Sequence, residues 1–236
     1  KRSSCLGADD TVGVYLLCEM VRAKVPGYYV FHFGEEQGCV GSHALAEDYS
    51  AWLAQFDAAI AFDRAGTADI ITHQCGMRTA SDAFARSLAL QLNGSGMHYR
   101  PCPNGLFTDT ESYSEIIPEC SNVSIGYADA HSGSESVDTG HVMRLRDRVI
   151  QLDPRALIIA RDPSVREHKV SPWSAMMAKY PVKDALLVGD SWDDIEGEVD
   201  PDDPDGWLSM ERAEVERELR AIEQRERNMI EKRYYQ

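Results

Sequence analysis

Four acids and one histidine stand where this chain could do chemistry: Asp9, the pair Glu35-Glu36, Asp63 and His131. Carboxylate oxygens with one imidazole suit zinc, manganese or cobalt, whereas calcium rarely accepts a histidine. Such a set can wrap a pair of divalent cations. A doubled glutamate is useful there, because one carboxylate can bind metal while its neighbour stays free to deprotonate the bound water. Singly, each piece says little. A Glu-Glu pair is usually a solvated face, and a histidine after a strand is usually a hydrogen-bonded loop residue.

The elements that must position these groups follow from periodicity. After Gly7-Ala8-Asp9-Asp10, apolar residues from Val12 to Val25 recur at helical spacing, which predicts loop and then helix. Tyr28 to Phe33 is β-branched and aromatic, starts after Pro26-Gly27 and ends at Gly34-Glu35-Glu36, which predicts a buried strand. Ala44 to Phe56 reads as helix, Ala58 to Phe62 as a short strand ending at Asp63, and Ala80 to Leu92 as an amphipathic helix. Asn122 to Tyr127 reads as a strand ending just before His131, and Asp138 to Leu152 as a helix. Strands alternating with helices predict an α/β domain: a mixed, mostly parallel sheet with helices on both faces. Functional groups in such sheets gather at the carboxyl ends of strands, where Glu35-Glu36, Asp63 and His131 are expected.

The contexts of these residues resemble a family. Gly7-Ala8-Asp9-Asp10-Thr11-Val12-Gly13-Val14, Phe33-Gly34-Glu35-Glu36-Gln37-Gly38-Cys39-Val40-Gly41-Ser42, Ala61-Phe62-Asp63-Arg64, Phe107-Thr108-Asp109-Thr110 and the stretch from Ser124-Ile125-Gly126-Tyr127 to His131-Ser132-Gly133-Ser134-Glu135 resemble, in order and spacing, the co-catalytic di-zinc aminopeptidases and related carboxypeptidases. The resemblance covers roughly residues 5 to 150. It implies that Asp9 bridges two metals, that Glu35 is the general base, and that Glu36 and His131 bind one ion while Asp63 binds the other. It also implies a cis peptide bond between Asp9 and Asp10. The implied cofactor is zinc, two ions per complete site. The implied activity is metal-dependent exopeptidase hydrolysis of a peptide or small amide, with a metal-bound water and Glu35 as base. Arg64, Thr108 and Asp109 are candidate pocket neighbours.

The pattern departs from the family in one place. The second ion normally has a histidine from a His-x-Asp motif on an earlier strand, and the eight residues before Asp9 hold no histidine. His32, His43 and His73 do not fit that role. The expectation is therefore a partial peptidase domain lacking its N-terminal segment, with one zinc bound tightly, or a chain whose sheet is completed by self-association or by a partner chain. The short interval from Asp63 to His131 favours the compact aminopeptidase-like branch. The alternative is a non-catalytic or weakly active binding and assembly module that keeps the peptidase fold; a third reading, an unrelated α/β protein with a solvated acidic rim, requires five matched motifs to be coincidental.

Composition narrows the partners. Lys and Arg total 24 against 39 Asp and Glu, and a formal charge of −15 repels nucleic acid and anionic membrane surfaces. No apolar run approaches the roughly 18 to 20 residues that span a bilayer, and residues 1–30 lack the order of a signal peptide, so the expected location is cytoplasmic. Six scattered cysteines without CxxC pairs fit reduced thiols. The chain divides by pattern into a partial zinc peptidase domain over 1–155, an extension with an acidic linker over 156–208, and a C-terminal helix over 209–236.

Overall fold

The computed structural model describes residues 4–94 and 96–167. The acidic linker and the C-terminal helix expected beyond them lie outside the described residues. Five helices occur in the described part: α1 (Ala8–Arg22), α2 (Val40–Asp48), α3 (Ser50–Leu53), α4 (Asp82–Leu92) and α5 (Thr139–Val149). Eight short strands accompany them: β1 (Ala58–Arg64), β2 (Asp69–Ile71), β3 (His73–Gln74), β4 (Met77–Arg78), β5 (Arg100–Cys102), β6 (Glu119–Ser124), β7 (Tyr127–Ala128) and β8 (Ser136–Val137).

Four of the strands form one mixed sheet in the order β1-β6-β2-β5. β1 runs parallel to β6, β2 runs parallel to β5, and β2 meets β6 antiparallel. Alternation along these strands sends side chains to two separate cores. On one face Phe62 of β1, Ile70 of β2 and Val123 of β6 pack under Leu16 and Met20 of α1, Phe84 and Leu88 of α4, and Val142 and Leu145 of α5. On the other, Ala59 and Cys120 pack with Leu45 of α2, Leu53 of α3, Tyr113 and Ile117. The α/β class with helices on both faces is thus present.

Helix ends follow local chemistry. Ser81 caps α4 by accepting the Phe84 N–H at 3.0 Å, and Asp138 caps α5 by accepting the His141 N–H at 2.9 Å. The buried Glu119 carboxylate accepts from the Ser81 N–H (2.6 Å), the Ser81 hydroxyl (2.9 Å), and the Ala160 and Arg161 N–H groups (2.8 and 3.0 Å). One charge at the start of β6 therefore fastens the α4 entry and residues 160–161 to the sheet.

Two expected strands differ from the structure. Residues 28–33 form no strand, and the side chains of Tyr28 and Phe33 are each 73% exposed. β-branched and aromatic composition makes a segment competent for pairing, but a strand exists only where a neighbour receives its N–H and C=O groups. The Phe33 carbonyl instead accepts the Gly41 N–H at the start of α2, at 2.9 Å, so the end of the segment is fastened to a helix and not to a strand. The strand expected over Asn122–Tyr127 is also displaced: β6 begins at Glu119 and stops at Ser124, because Gly126 takes a left-handed φ of 102° and turns the chain.

Candidate metal centre

Asp9 sits in the first turn of α1, but with non-helical backbone angles (φ −87°, ψ 103°), and Asp10 follows with φ −120° and ψ 45°. The peptide bond between them is cis, as the resemblance implies. This break aims the two neighbouring carboxyl groups differently. Asp9 faces His131, whose Nε2 lies 3.0 Å from Asp9 Oδ2. Asp10 turns back into the protein, where its Oδ1 accepts the Gly13 N–H at 3.0 Å. Burial, only partly offset by that N–H and reinforced by the charge of Asp9, pushes the Asp10 carboxyl up to about 8.

Glu35 and Glu36 occupy a single 3-10 turn, Glu35–Gln37, bounded by Gly34 (φ 70°) and Gly38 (φ 93°). Both glycines are left-handed, a conformation that side chains resist, so the turn needs them there. The turn separates the two carboxylates. Glu36 Oε1 lies 2.6 Å from His131 Nε2, while Glu35 is pushed up to about 7 by burial and then by the charges of Glu36, Asp109 and Asp9. The segment before this turn is not the strand that the sequence predicts.

Asp63 lies near the end of β1, where the parallel register with β6 shifts between Ala61 and Arg64. Asn122 bridges that irregularity: its Oδ1 accepts the Asp63 N–H at 3.0 Å and its Nδ2 donates to the Asp63 carbonyl at 2.9 Å. The Thr108 hydroxyl donates to Asp63 Oδ2 at 3.1 Å. Burial first, then the charges of Asp10, Glu35 and Asp9, push the Asp63 carboxyl up to about 9.

His131 follows β7 in a left-handed conformation (φ 61°) and is exposed. Its hydrogen bond to Glu36, then the charge of that group, raises its pKa above the ordinary histidine value. One ligand atom each from Asp9, Glu36 and His131 lies within 4.8 Å of the others. Three donors of this kind fit a divalent ion of the zinc, manganese or cobalt type. Glu35 and Asp63 adjoin the trio, and Asp63 interacts with the Asp9 carboxyl. His32, His43 and His73 stand apart: His32 meets the Tyr113 hydroxyl at 2.6 Å, buried His73 meets the Thr72 hydroxyl at 3.0 Å, and His43 is exposed on α2.

Arg64, next to Asp63, pairs with Asp69 at 3.1 Å. Four residues matter more than sequence reasoning indicates. Asp10 adds a second carboxyl behind Asp9, Asn122 holds the Asp63 backbone, and the half-buried Asp109 places a carboxyl group near Glu35, its buried Oδ1 without a hydrogen-bond partner among the described residues. Glu135 accepts the Gly7 and Asp9 N–H groups at 2.8 and 3.0 Å, which hold its carboxyl below the usual range. Asp10, Asp109 and Glu135 all lie inside the motifs named above, so their position was visible although their contacts were not.

No protein-family model matches the chain, and no curated protein does. Among solved structures it is similar to one described as the 3-D structure of PhTET1-12s, a dodecamer in the asymmetric unit, at 20% identity and a TM-score of 0.48. The match covers 61% of this chain and 48% of that one, so the chain spans about half the length of the neighbour.

Proposed function

We propose that the chain is a metal-dependent exopeptidase of the aminopeptidase type, hydrolysing a peptide or small amide with Glu35 as general base. The observation that supports this reading best is the meeting of Asp9, Glu36 and His131 from three distant stretches of sequence, with Glu35 next to Glu36 and Asp63 next to Asp9. Asp9, Glu36 and His131 would hold one ion, and Asp9 with Asp63 a second, weaker one. A divalent ion there supplies Lewis acidity toward a carbonyl and lowers the pKa of water.

The rest of the chemistry belongs to the chain. Glu35 is half-buried with a carboxyl pushed up to about 7; a cation beside it would draw that value down and leave the group ionised at neutral pH, able to accept a proton. Glu35 takes the proton of the attacking water and returns it to the leaving nitrogen. Thr108 and Asn122 keep Asp63 turned toward Asp9. The alternative reading, a weakly active binding or assembly module, draws its support from the second site, where Asp63 joins Asp9 without a histidine among the described residues.

Zinc titration of the purified chain, run beside hydrolysis of chromogenic amino-acid amides, separates the two. The expected result is at least one zinc bound per chain and zinc-dependent turnover. Glu35→Gln should lower kcat by about 100-fold or more with zinc affinity nearly unchanged, because a base acts on water and a ligand acts on the ion. Glu36→Ala should weaken zinc binding itself. Equal loss of zinc in both variants overturns the roles given to the pair, and binding without turnover favours the assembly module.

A further inference from the structure

We infer that Glu135 is a positioning residue for the metal-binding trio, setting the distance between Asp9 and His131; this rests on the metal-site reading above. Its two carboxylate oxygens divide between two backbone donors, Oε2 taking the Gly7 N–H at 2.8 Å and Oε1 the Asp9 N–H at 3.0 Å. The left-handed turn at Gly7 (φ 79°) makes the two amides converge on one carboxylate.

The other half of the device is the turn that carries both His131 and Glu135. The Ser132 hydroxyl donates to the Asp129 carbonyl at 2.6 Å and accepts the Ser134 N–H at 3.2 Å. The Glu135 N–H donates to the Ser132 carbonyl at 3.3 Å. His131 and Glu135 are therefore the two ends of one internally bonded turn. From that turn, His131 meets the Asp9 side chain at 3.0 Å while Glu135 holds the Asp9 backbone. Asp9 is gripped at both ends by residues about 125 positions away in sequence. A ligand whose backbone is held this way does not have to be ordered by the ion, and partners of this kind typically change metal affinity 10- to 100-fold, as an order of magnitude.

A carboxylate over the first amides of α1 could also act only as a helix cap. Capping alone changes stability and leaves the metal unaffected, so the test measures both. Zinc dissociation constants by chelator competition, Co(II) absorption spectra and Tm in chelator are compared for the full chain, Glu135→Ala, Glu135→Gln and Asp138→Ala. Asp138 caps α5 and touches none of the trio, so Asp138→Ala should lower Tm with zinc affinity and Co(II) spectrum unchanged. Glu135→Ala should weaken zinc binding by about 10- to 100-fold and alter the Co(II) spectrum. Glu135→Gln keeps one acceptor oxygen, is the variant to read should the alanine variant fail to fold, and should fall between. Wild-type zinc affinity in both Glu135 variants, with only Tm lowered, overturns the inference. Absence of zinc binding by the unaltered chain overturns the metal-site reading itself, an outcome distinguishable because it precedes any variant.

Discussion

Asp10, Glu35 and Asp63 owe their elevated pKa values to one leading cause, burial, with neighbouring negative charge adding to it. The folded chain therefore holds protons that the unfolded chain has already released. A carboxyl whose folded pKa is raised gives stability that declines as pH rises, because the unfolded state binds fewer protons in that interval. The window runs from the ordinary carboxylate values of 3.8 and 4.5 to the folded values of about 7 to 9. In chelator, stability should fall between pH 6 and pH 9 by at least about 1 kcal/mol, a Tm decrease of about 2 to 4 °C for a chain this size. Divalent zinc or cobalt held beside these groups, with Asp63 as a ligand, favours their charged forms and should remove most of that decline. Thermal melts at several pH values with and without metal check both halves. A Tm in chelator that rises steadily from pH 6 to pH 9 would mean that the acids are ionised and relieved by something other than metal.

At the scale of elements, α1 reaches the site only because Gly13 lets it approach β1. A Cβ at Gly13 would stand 2.0 Å from the Phe62 carbonyl oxygen and 2.5 Å from Asp10 Oδ2. Gly13→Ala must push α1 away from β1, at a cost of about 1 to 3 kcal/mol for overpacking. It should also weaken zinc binding, because Asp9 and Asp63 lie at the adjoining ends of the two elements; urea unfolding and chelator competition report the two effects. Loss of stability with unchanged zinc affinity would show that the ends of α1 and β1 adjust independently. Gly13 was legible in sequence as a member of the Gly7–Val14 motif and as a glycine inside a helical pattern, but its close approach to β1 was not. The trio was legible because each member follows a motif of distinctive composition, and β1, α4 and α5 because their apolar spacing is long enough to read. β2 and β5 were not. Each has three residues, among them Asp69, Arg100 and Pro101, and they become strands through mutual pairing rather than propensity. The early start of β6 was hidden for a similar reason: Glu119 is an unlikely buried residue until Ser81 and residues 160–161 supply its donors.

For the molecule as a whole, the segment misread as a strand bears on how chains meet. β1 stands at one end of the sheet order, and its first five residues, Ala58 to Phe62, are all apolar. Tyr28, Val30, Phe31 and Phe33 are exposed. An apolar edge strand and an exposed apolar segment both favour association, since contact there covers apolar surface. Among the described residues no helix is long and apolar enough to cross a membrane. A second copy of the chain or a partner strand would cover this surface. The full chain should therefore associate in a concentration-dependent way, with a weight-average mass that rises over the micromolar range. Phe31→Ser with Phe33→Ser should shift the chain toward the monomer. Tyr28 is better left alone, because it meets Trp52 and Phe56 with ring centroids 5.5 and 5.0 Å apart and supports the second core. Size-exclusion chromatography with light scattering reads the result directly. A monomer at every concentration, with the double variant indistinguishable from it, would show that the segment is covered within the chain itself.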